Sequence, residues 1–331
     1  MTNPSGRPRL EVVVLGAVNW DTTIFLRNFA EPGAEVVVEK VESSPGGKGA
    51  NVAVAASRIL GKGRVAFVGA LGTDDLRGPL LESLRDDGVR TDGVATIKGC
   101  SSGRAFVLVD GSGRKSIYTL LGANDALEPR HLTSPGSAAA LAAASTVVIM
   151  DVPLNVALAA ARSARREGRR AVYSSGVRSA ESHGKLAEVL RQVHELVVDR
   201  SELARLTGLA TPAAGVEAIR REFPRLIVVA TLGPAGCLAS EGRTTRLVRP
   251  ADLGRLGLKA VNSTGSGDAF LAAHVSYSMM GLSPAKAAAW GNLAGALKAT
   301  SPLTRGSPTR NELESKMLAL GGLRRRRPGS P

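Results

Sequence analysis

The sequence has 331 residues and a formal charge of +14 at pH 7, with 44% hydrophobic, 22% charged and 3% aromatic residues. That balance belongs to a globular chain and excludes disordered, collagen-like and membrane-embedded classes. Four of the charges form Arg324–Arg327, in a basic tail over 321–331, so the body keeps +10, which suits phosphorylated ligands or polyanions without choosing between them.

In chain order, short β-rich runs at Leu10–Leu15, Val65–Val68, Thr146–Met150, Ala171–Tyr173, Leu196–Val198 and Leu226–Ala230 predict strands. Ala50–Leu60, Asp75–Arg85, Asn155–Arg166, Ala180–Val193, Thr211–Phe223, Asp268–Met280 and Pro284–Ala299 have the length and composition of helices. Strands alternating with helices predict a mostly parallel sheet covered on both faces. Two regions break the alternation. Thr22–Asn28 with Glu35–Glu42, and Gly103–Asp110 with Lys115–Leu121, read as hairpins at about 22–42 and 103–121. A small separate sheet over the strand ends would give them partners and make a lid, so the chain is expected to be one α/β domain over 10–320.

Cys100 and Cys237 are too few for a disulfide framework or a cysteine-built metal site, and His131, His183, His194 and His274 lack metal-ligand spacing. No run supplies the ~18 apolar residues of a spanning helix, and a cytoplasmic protein is expected.

The chemistry concentrates in two glycine clusters. Asn262-Ser263-Thr264-Gly265-Ser266-Gly267-Asp268 opens directly into a helix, where free amides and the macrodipole make an anion site. A carboxylate there repels phosphate, but as a base for an incoming hydroxyl Asp268 is well placed beside a phosphoryl group. It also satisfies the ordinary preference for acidic residues at helix starts, so the residue alone leaves both readings open. Gly46-Gly47-Lys48-Gly49-Ala50-Asn51 also precedes a helix, without the spacing of a Walker loop, and Lys48 and Asn51 suit sugar hydroxyls or phosphate.

Together with Asn19-Trp20-Asp21, Gly122-Ala123-Asn124, Asp199-Arg200-Ser201-Glu202 and Thr231-Leu232-Gly233-Pro234-Ala235-Gly236, these segments resemble, in order, the ribokinase or PfkB family of carbohydrate and nucleoside kinases. The resemblance implies a ribokinase-like three-layer α/β/α sandwich with a β lid, transferring the γ-phosphoryl group of ATP to a sugar hydroxyl with magnesium. It implies Asp268 as the general base and Gly265, Ser266 and Gly267 as the anion hole. Asn19, Asp21, Gly47, Lys48, Asn51, Arg104 and Asp151 would bind the acceptor; Asp199, Thr231, Gly233, Gly236, Thr264 and Asn292 would bind ATP. Glu202 and Asp199 would reach the metal through water.

Departures from the ribokinase pattern bear on the acceptor. Asn262 stands where ribokinases place an aspartate for an activating potassium ion, which puts potassium activation in doubt. Asp199 replaces the usual asparagine, and Asp151 is a methylene shorter than the expected glutamate. Arg104, on a lid strand, resembles the arginine with which phosphosugar kinases hold a substrate phosphate, and a guanidinium suits that role. The first expectation is therefore fructose 6-phosphate, converted to fructose 1,6-bisphosphate. The alternative is ribose or a nucleoside such as adenosine or cytidine, with Trp20, Phe106 or Tyr118 available to stack on a base. A different class, a non-catalytic sugar sensor or a nucleic-acid binder, is opposed by Asp268, the glycine loops and the scarcity of aromatics. Exposed lid strands predict a homodimer through the lid.

Overall fold

The computed structural model describes residues 9–180 and 183–322; the tail cluster Arg324–Arg327 lies outside them. The chain begins with β1 (Val12–Gly16), β2 (Asn19–Leu26), β3 (Val38–Gly46), α1 (Lys48–Leu60), β4 (Val65–Leu71), α2 (Arg77–Asp86) and β5 (Arg90–Thr96). Next come β6 (Gly103–Val109), β7 (Lys115–Leu120), α3 (Pro135–Ala143), β8 (Thr146–Met150), α4 (Leu154–Arg166), β9 (Arg170–Ser174) and α5 (His183–Leu190). They are followed by β10 (Glu195–Asp199), α6 (Arg200–Thr207), α7 (Pro212–Glu222), β11 (Ile227–Thr231), β12 (Cys237–Glu241) and β13 (Thr244–Val248). Helices α8 (Ser266–Met279), α9 (Pro284–Ala299) and α10 (Arg310–Ala319) complete the described chain.

Nine strands form one sheet in the order β13-β12-β11-β10-β9-β8-β1-β4-β5, parallel except for the last hairpin, β12 and β13. β1, β4 and β8 are apolar runs buried along their whole length, as parallel strands covered on both faces must be. Alternation splits β1 between two cores. Val12 and Val14 face residues of α1, α2 and α8; Val13 and Leu15 face residues of α4, α5 and α7. Each such side chain contributes about 1.5–3 kcal/mol when fully removed from water. These are the expected three layers. The hairpin β12–β13 was not anticipated, because β13 is an exposed edge strand and lacks the apolar run that marks the others.

The two predicted hairpins form, and a parallel pairing of β2 with β6 joins them into a second sheet, β3-β2-β6-β7. Register decides what each face carries. Asp21 pairs with Ala105 and Asn19 with Gly103, whereas Trp20 pairs with Arg104, and Arg104 and Phe106 pair with Leu120 and Tyr118. Since side chains alternate along a strand, Asn19 and Asp21 share one face, and Trp20, Arg104, Phe106, Tyr118 and Leu120 share the other.

In the large sheet β1 lies between β4 and β8, so the strand order reverses beside it. In open α/β sheets such a reversal leaves a crevice beyond the carboxyl ends of the strands. Two glycines bring α1 to that edge. A Cβ on Gly16, ending β1, would lie 2.7 Å from the Cα of Gly49, and one on Gly49 equally close to Gly16.

Candidate active site

Asp268 sits in the first turn of α8, and the turn before it depends on Gly265, whose φ of 83° is left-handed and whose place a Cβ would deny by approaching the Thr304 carbonyl to 2.5 Å. Asn51 of α1 donates its side-chain amide to Asp268 Oδ2 at 2.9 Å. Arg305, beyond α9, donates to Asn51 Oδ1 at 3.0 Å and to the Gly46 carbonyl at 3.1 Å, and also holds Ser83. Burial pushes the Asp268 carboxyl up to about 6; Asn51 and Lys48 oppose the rise, Asp151 adds to it and Arg305 opposes it. A carboxyl so poised accepts a proton near neutral pH, as a general base must.

Of the three residues expected to form an anion hole, Ser266 does not have its backbone amide free. The Ser266 amide donates to the Ser263 carbonyl at 3.1 Å and is therefore occupied. The amides of Gly265, Gly267 and Asp268 find no backbone acceptor among the described residues, as first-turn amides commonly do not. A Cβ on Gly267 would meet nothing within 4 Å, and the Ser266 hydroxyl is buried without a hydrogen-bond partner.

Beside Asp268, Lys48 starts α1 with Nζ 3.5 Å from Glu202 Oε1 and 3.9 Å from Asp151 Oδ2. Burial alone would lower its pKa, but Asp151, Glu202, Asp268 and Asp199 more than offset that and keep the ammonium charged. Asp151 directly follows β8 and is the only non-glycine residue with positive φ among those described, at 51°. It holds that conformation by accepting from the Val177 amide at 2.7 Å. Asp199 caps α6, accepting from the Glu202 amide at 2.7 Å, while Glu202 accepts from the Asp199 amide at 3.0 Å. Burial raises the pKa of Glu202 and Lys48 draws it back. Lys48, Asp199, Glu202, Thr231, Gly267 and Asp268 line one crevice of about 100 Å³. A larger cavity of about 590 Å³, lined by Leu10, Arg64 and Ser145, lies at the opposite, amino-terminal ends of the strands and contains none of these residues.

The second sheet supplies the facing wall. Asn19 is buried and accepts from Asn124 Nδ2 at 2.9 Å, so the Gly122–Asn124 segment fixes it. Asp21 senses the charges of Arg305 and Asp268; burial pushes it up to about 6, with Arg305 lowering and Asp268 raising it. Its Oδ1 is buried without a partner. Gly47 packs against Asn19, where a Cβ would come within 2.6 Å of the Asn19 amide.

Three expectations change. Arg104 lies on the face of its sheet away from Asn19 and Asp21, and its guanidinium is 3.7 Å from the Asp74 carboxylate, so it does not point a free charge at the acceptor. Trp20, Phe106 and Tyr118 share that face, away from Asn19 and Asp21; Trp20 packs against the core beside α1 and α8, and Phe106 and Tyr118 are exposed. Asn292 gives its side-chain amide to the carbonyls of Val248 and Arg249, at 3.1 and 2.9 Å, and so braces the strand end. Gly233 and Gly236 form a tight turn after β11, and Thr264 accepts from Lys115 of β7 at 2.9 Å. Arg305, Lys115 and Lys298 were not anticipated: each works through partners remote in sequence and sits in no glycine cluster. His274 is buried, paired with Glu195, which also holds Arg170, a structural role. Among the described residues no three ligating side chains converge as a metal site, and no helix is long and apolar enough to cross a membrane.

Residues 9–310 match the pfkB family carbohydrate kinase. The chain belongs to the pfkB family of carbohydrate kinases. As a pfkB kinase it is an enzyme that transfers a phosphoryl group from ATP to a carbohydrate. It is 28% identical over 310 residues to a ribokinase of Haemophilus influenzae, covering 92% of this chain and 97% of that one. It is 27% identical over 266 residues to a bifunctional ribokinase/ribose-5-phosphate isomerase A of Fructilactobacillus sanfranciscensis, spanning 79% of this chain and 47%, about half, of that protein. A solved ribokinase from Thermotoga maritima superposes with a TM-score of 0.80 at 25% identity, covering 93% of this pfkB kinase and 99% of that chain. The fructose 6-phosphate expectation is not supported; the relatives favour its ribokinase alternative.

Proposed function

We propose that this kinase phosphorylates a free pentose, ribose, using ATP. The observation that carries the reading is the pairing of Asp268, held by Asn51 at the start of α8, with an Asn19–Asp21 wall whose Asp21 Oδ1 is buried and unpartnered. An unsatisfied buried carboxylate oxygen is costly unless a ligand hydroxyl meets it. The position of Arg104 on the face away from Asn19 and Asp21 removes the phosphate clamp that favoured a phosphosugar, and that of Trp20, Phe106 and Tyr118 on the same face removes the stacking surface that favoured a nucleoside.

In this reading Asp21, Asn19, Gly47, Lys48 and Asp151 orient the sugar between the two sheets. Asp268 takes the proton of the attacking hydroxyl, whose oxygen bonds to the γ-phosphorus as the bond to the β,γ-bridging oxygen breaks and ADP leaves. The amides of Gly265, Gly267 and Asp268 and the Ser266 hydroxyl stabilise charge on the phosphoryl oxygens. Thr231, Gly233 and Gly236 border the nucleotide phosphates. Magnesium, when bound, neutralises phosphate charge. The capping bonds occupy Asp199 Oδ1 and Glu202 Oε2, which suits holding the metal through water. The outer face of the small sheet exposes Val41, Phe106, Tyr118 and Leu120, an apolar surface that a second copy would cover.

A coupled ADP-release assay across ribose, fructose 6-phosphate, fructose 1-phosphate, adenosine and cytidine tests the acceptor. Ribose is expected to give the highest kcat/KM; faster turnover of a phosphosugar or nucleoside would overturn the assignment.

A further inference from the structure

Lys298 lies in the last turn of α9 and is fully buried, yet no carboxylate pairs with it among the described residues. Its Nζ donates instead to the carbonyl oxygens of Asn262, at 2.9 Å, and Ser301, at 3.4 Å. An ammonium ion removed from water without a counter-ion is costly, and carbonyl dipoles together with the negative end of α9 are what compensate it here. The carbonyls belong to the two segments that shape the phosphate-binding turn. The amides of Val261 and Asn262 donate to the Ala299 carbonyl at 2.7 and 3.0 Å, and Asn262 Nδ2 donates to the Pro302 carbonyl at 2.8 Å. Asn262 Oδ1 accepts from the Thr264 amide at 3.0 Å, inside the turn. The lysine stem passes directly beneath it: a Cβ on Gly265 would lie 3.5 Å from Lys298 Cε.

We propose that Lys298 is a tethered monovalent cation: its ammonium group occupies the carbonyl seat formed by Asn262 and Ser301, fixes the turn that receives the transferred phosphate, and makes bound potassium unnecessary. Lys298 is thus a positioning residue, acting on the phosphate through the turn. Burial and the charge of Lys115 of β7, opposed by Asp268 of α8, together lower its pKa to about 8, so the group remains largely protonated at neutral pH. The inference rests on reading the Gly265–Asp268 turn as a phosphate cradle.

The test compares full-length wild type and Lys298→Ala in tetramethylammonium, potassium and ammonium chloride at equal ionic strength. It reads kcat with ribose and, independently of any acceptor, ATP affinity by calorimetry. Wild type is expected to change by no more than about twofold between salts. Lys298→Ala is expected to lose about ten- to a hundredfold in kcat and in ATP affinity in tetramethylammonium, and to regain most of both in potassium or ammonium, which fit the vacated seat. Strong potassium activation of wild type would overturn the proposal, as would a folded variant whose loss no small cation repairs. If the variant does not fold in tetramethylammonium, recovery of its thermal transition in potassium supports the proposal, and failure to fold in every salt counts against it. Salt-dependent ATP affinity in the variant without ribose turnover by wild type would sink the acceptor assignment alone. Ribose turnover by wild type together with no salt effect on Lys298→Ala would sink this inference alone.

Discussion

The Asn51 side-chain amide donates to the Asp268 carboxylate at 2.9 Å, joining residues 217 positions apart. Asn51 is itself held through its oxygen by Arg305, so its NH₂ group is obliged to face Asp268. Asp268 Oδ2 is thereby committed, while Oδ1 meets no donor among the described residues. A base arranged this way has one oxygen fixed and one available.

Asp268→Asn is expected to lower kcat by about 10³-fold, in the range that general-base removal costs, with ATP affinity changed by no more than about twofold. Steady-state kinetics with parallel calorimetry checks this, and near-normal turnover would remove Asp268 as the base.

The acidic limb of the rate profile should have its midpoint near 6, because burial raises both Asp268 and Asp21 to about that value and the two charges interact. A base works deprotonated, so turnover rises with pH through this window. Stability runs the other way. The folded carboxyls bind protons more tightly than unfolded ones between about pH 4 and 6, so ionising them destabilises the fold as pH rises. Asp268→Asn should therefore melt at a higher temperature than wild type above pH ~6, by a few degrees. A lower Tm at pH 8 would contradict the burial argument.

Arg305→Met should reduce kcat about tenfold and move the acidic limb to higher pH, since the guanidinium both orients Asn51 and lowers the pKa of Asp21 and Asp268. A pH–rate profile that falls in height without moving would leave Arg305 with an orienting role only.

Arg104→Ala should leave ribose kcat/KM within about threefold of wild type, because the residue faces away from Asn19 and Asp21. A selective loss on a phosphosugar would restore the phosphate-clamp reading.

Leu120→Glu should convert a dimer into a monomer in sedimentation velocity by placing a charge in the exposed apolar face of the small sheet. A monomeric wild type would refute pairing through that face.

Much of this site is written locally. The turn at Gly265–Asp268, the Gly47–Asn51 segment and the Asp199–Glu202 cap each announce a helix start through glycine or capping chemistry, and the structure brings them to one crevice. The parity of Arg104 was not legible, because it depends on which residue of β2 lies opposite it across a parallel pairing. Arg305 and Lys298 were hidden for a related reason. Their loop and helix carry no phosphate signature, and their roles exist only where segments such as Gly46–Asn51 and Asn262 are folded against them.

The parallel pairing of β2 with β6 also bears on how the chain is made. During synthesis β2 and β3 emerge well before Gly103, and until then the β2 edge that β6 will cover presents unpaired backbone groups. The first hairpin is therefore a nascent-chain hazard that ends only when β6 arrives, and truncations ending between Gly46 and Gly103 should aggregate where longer ones do not.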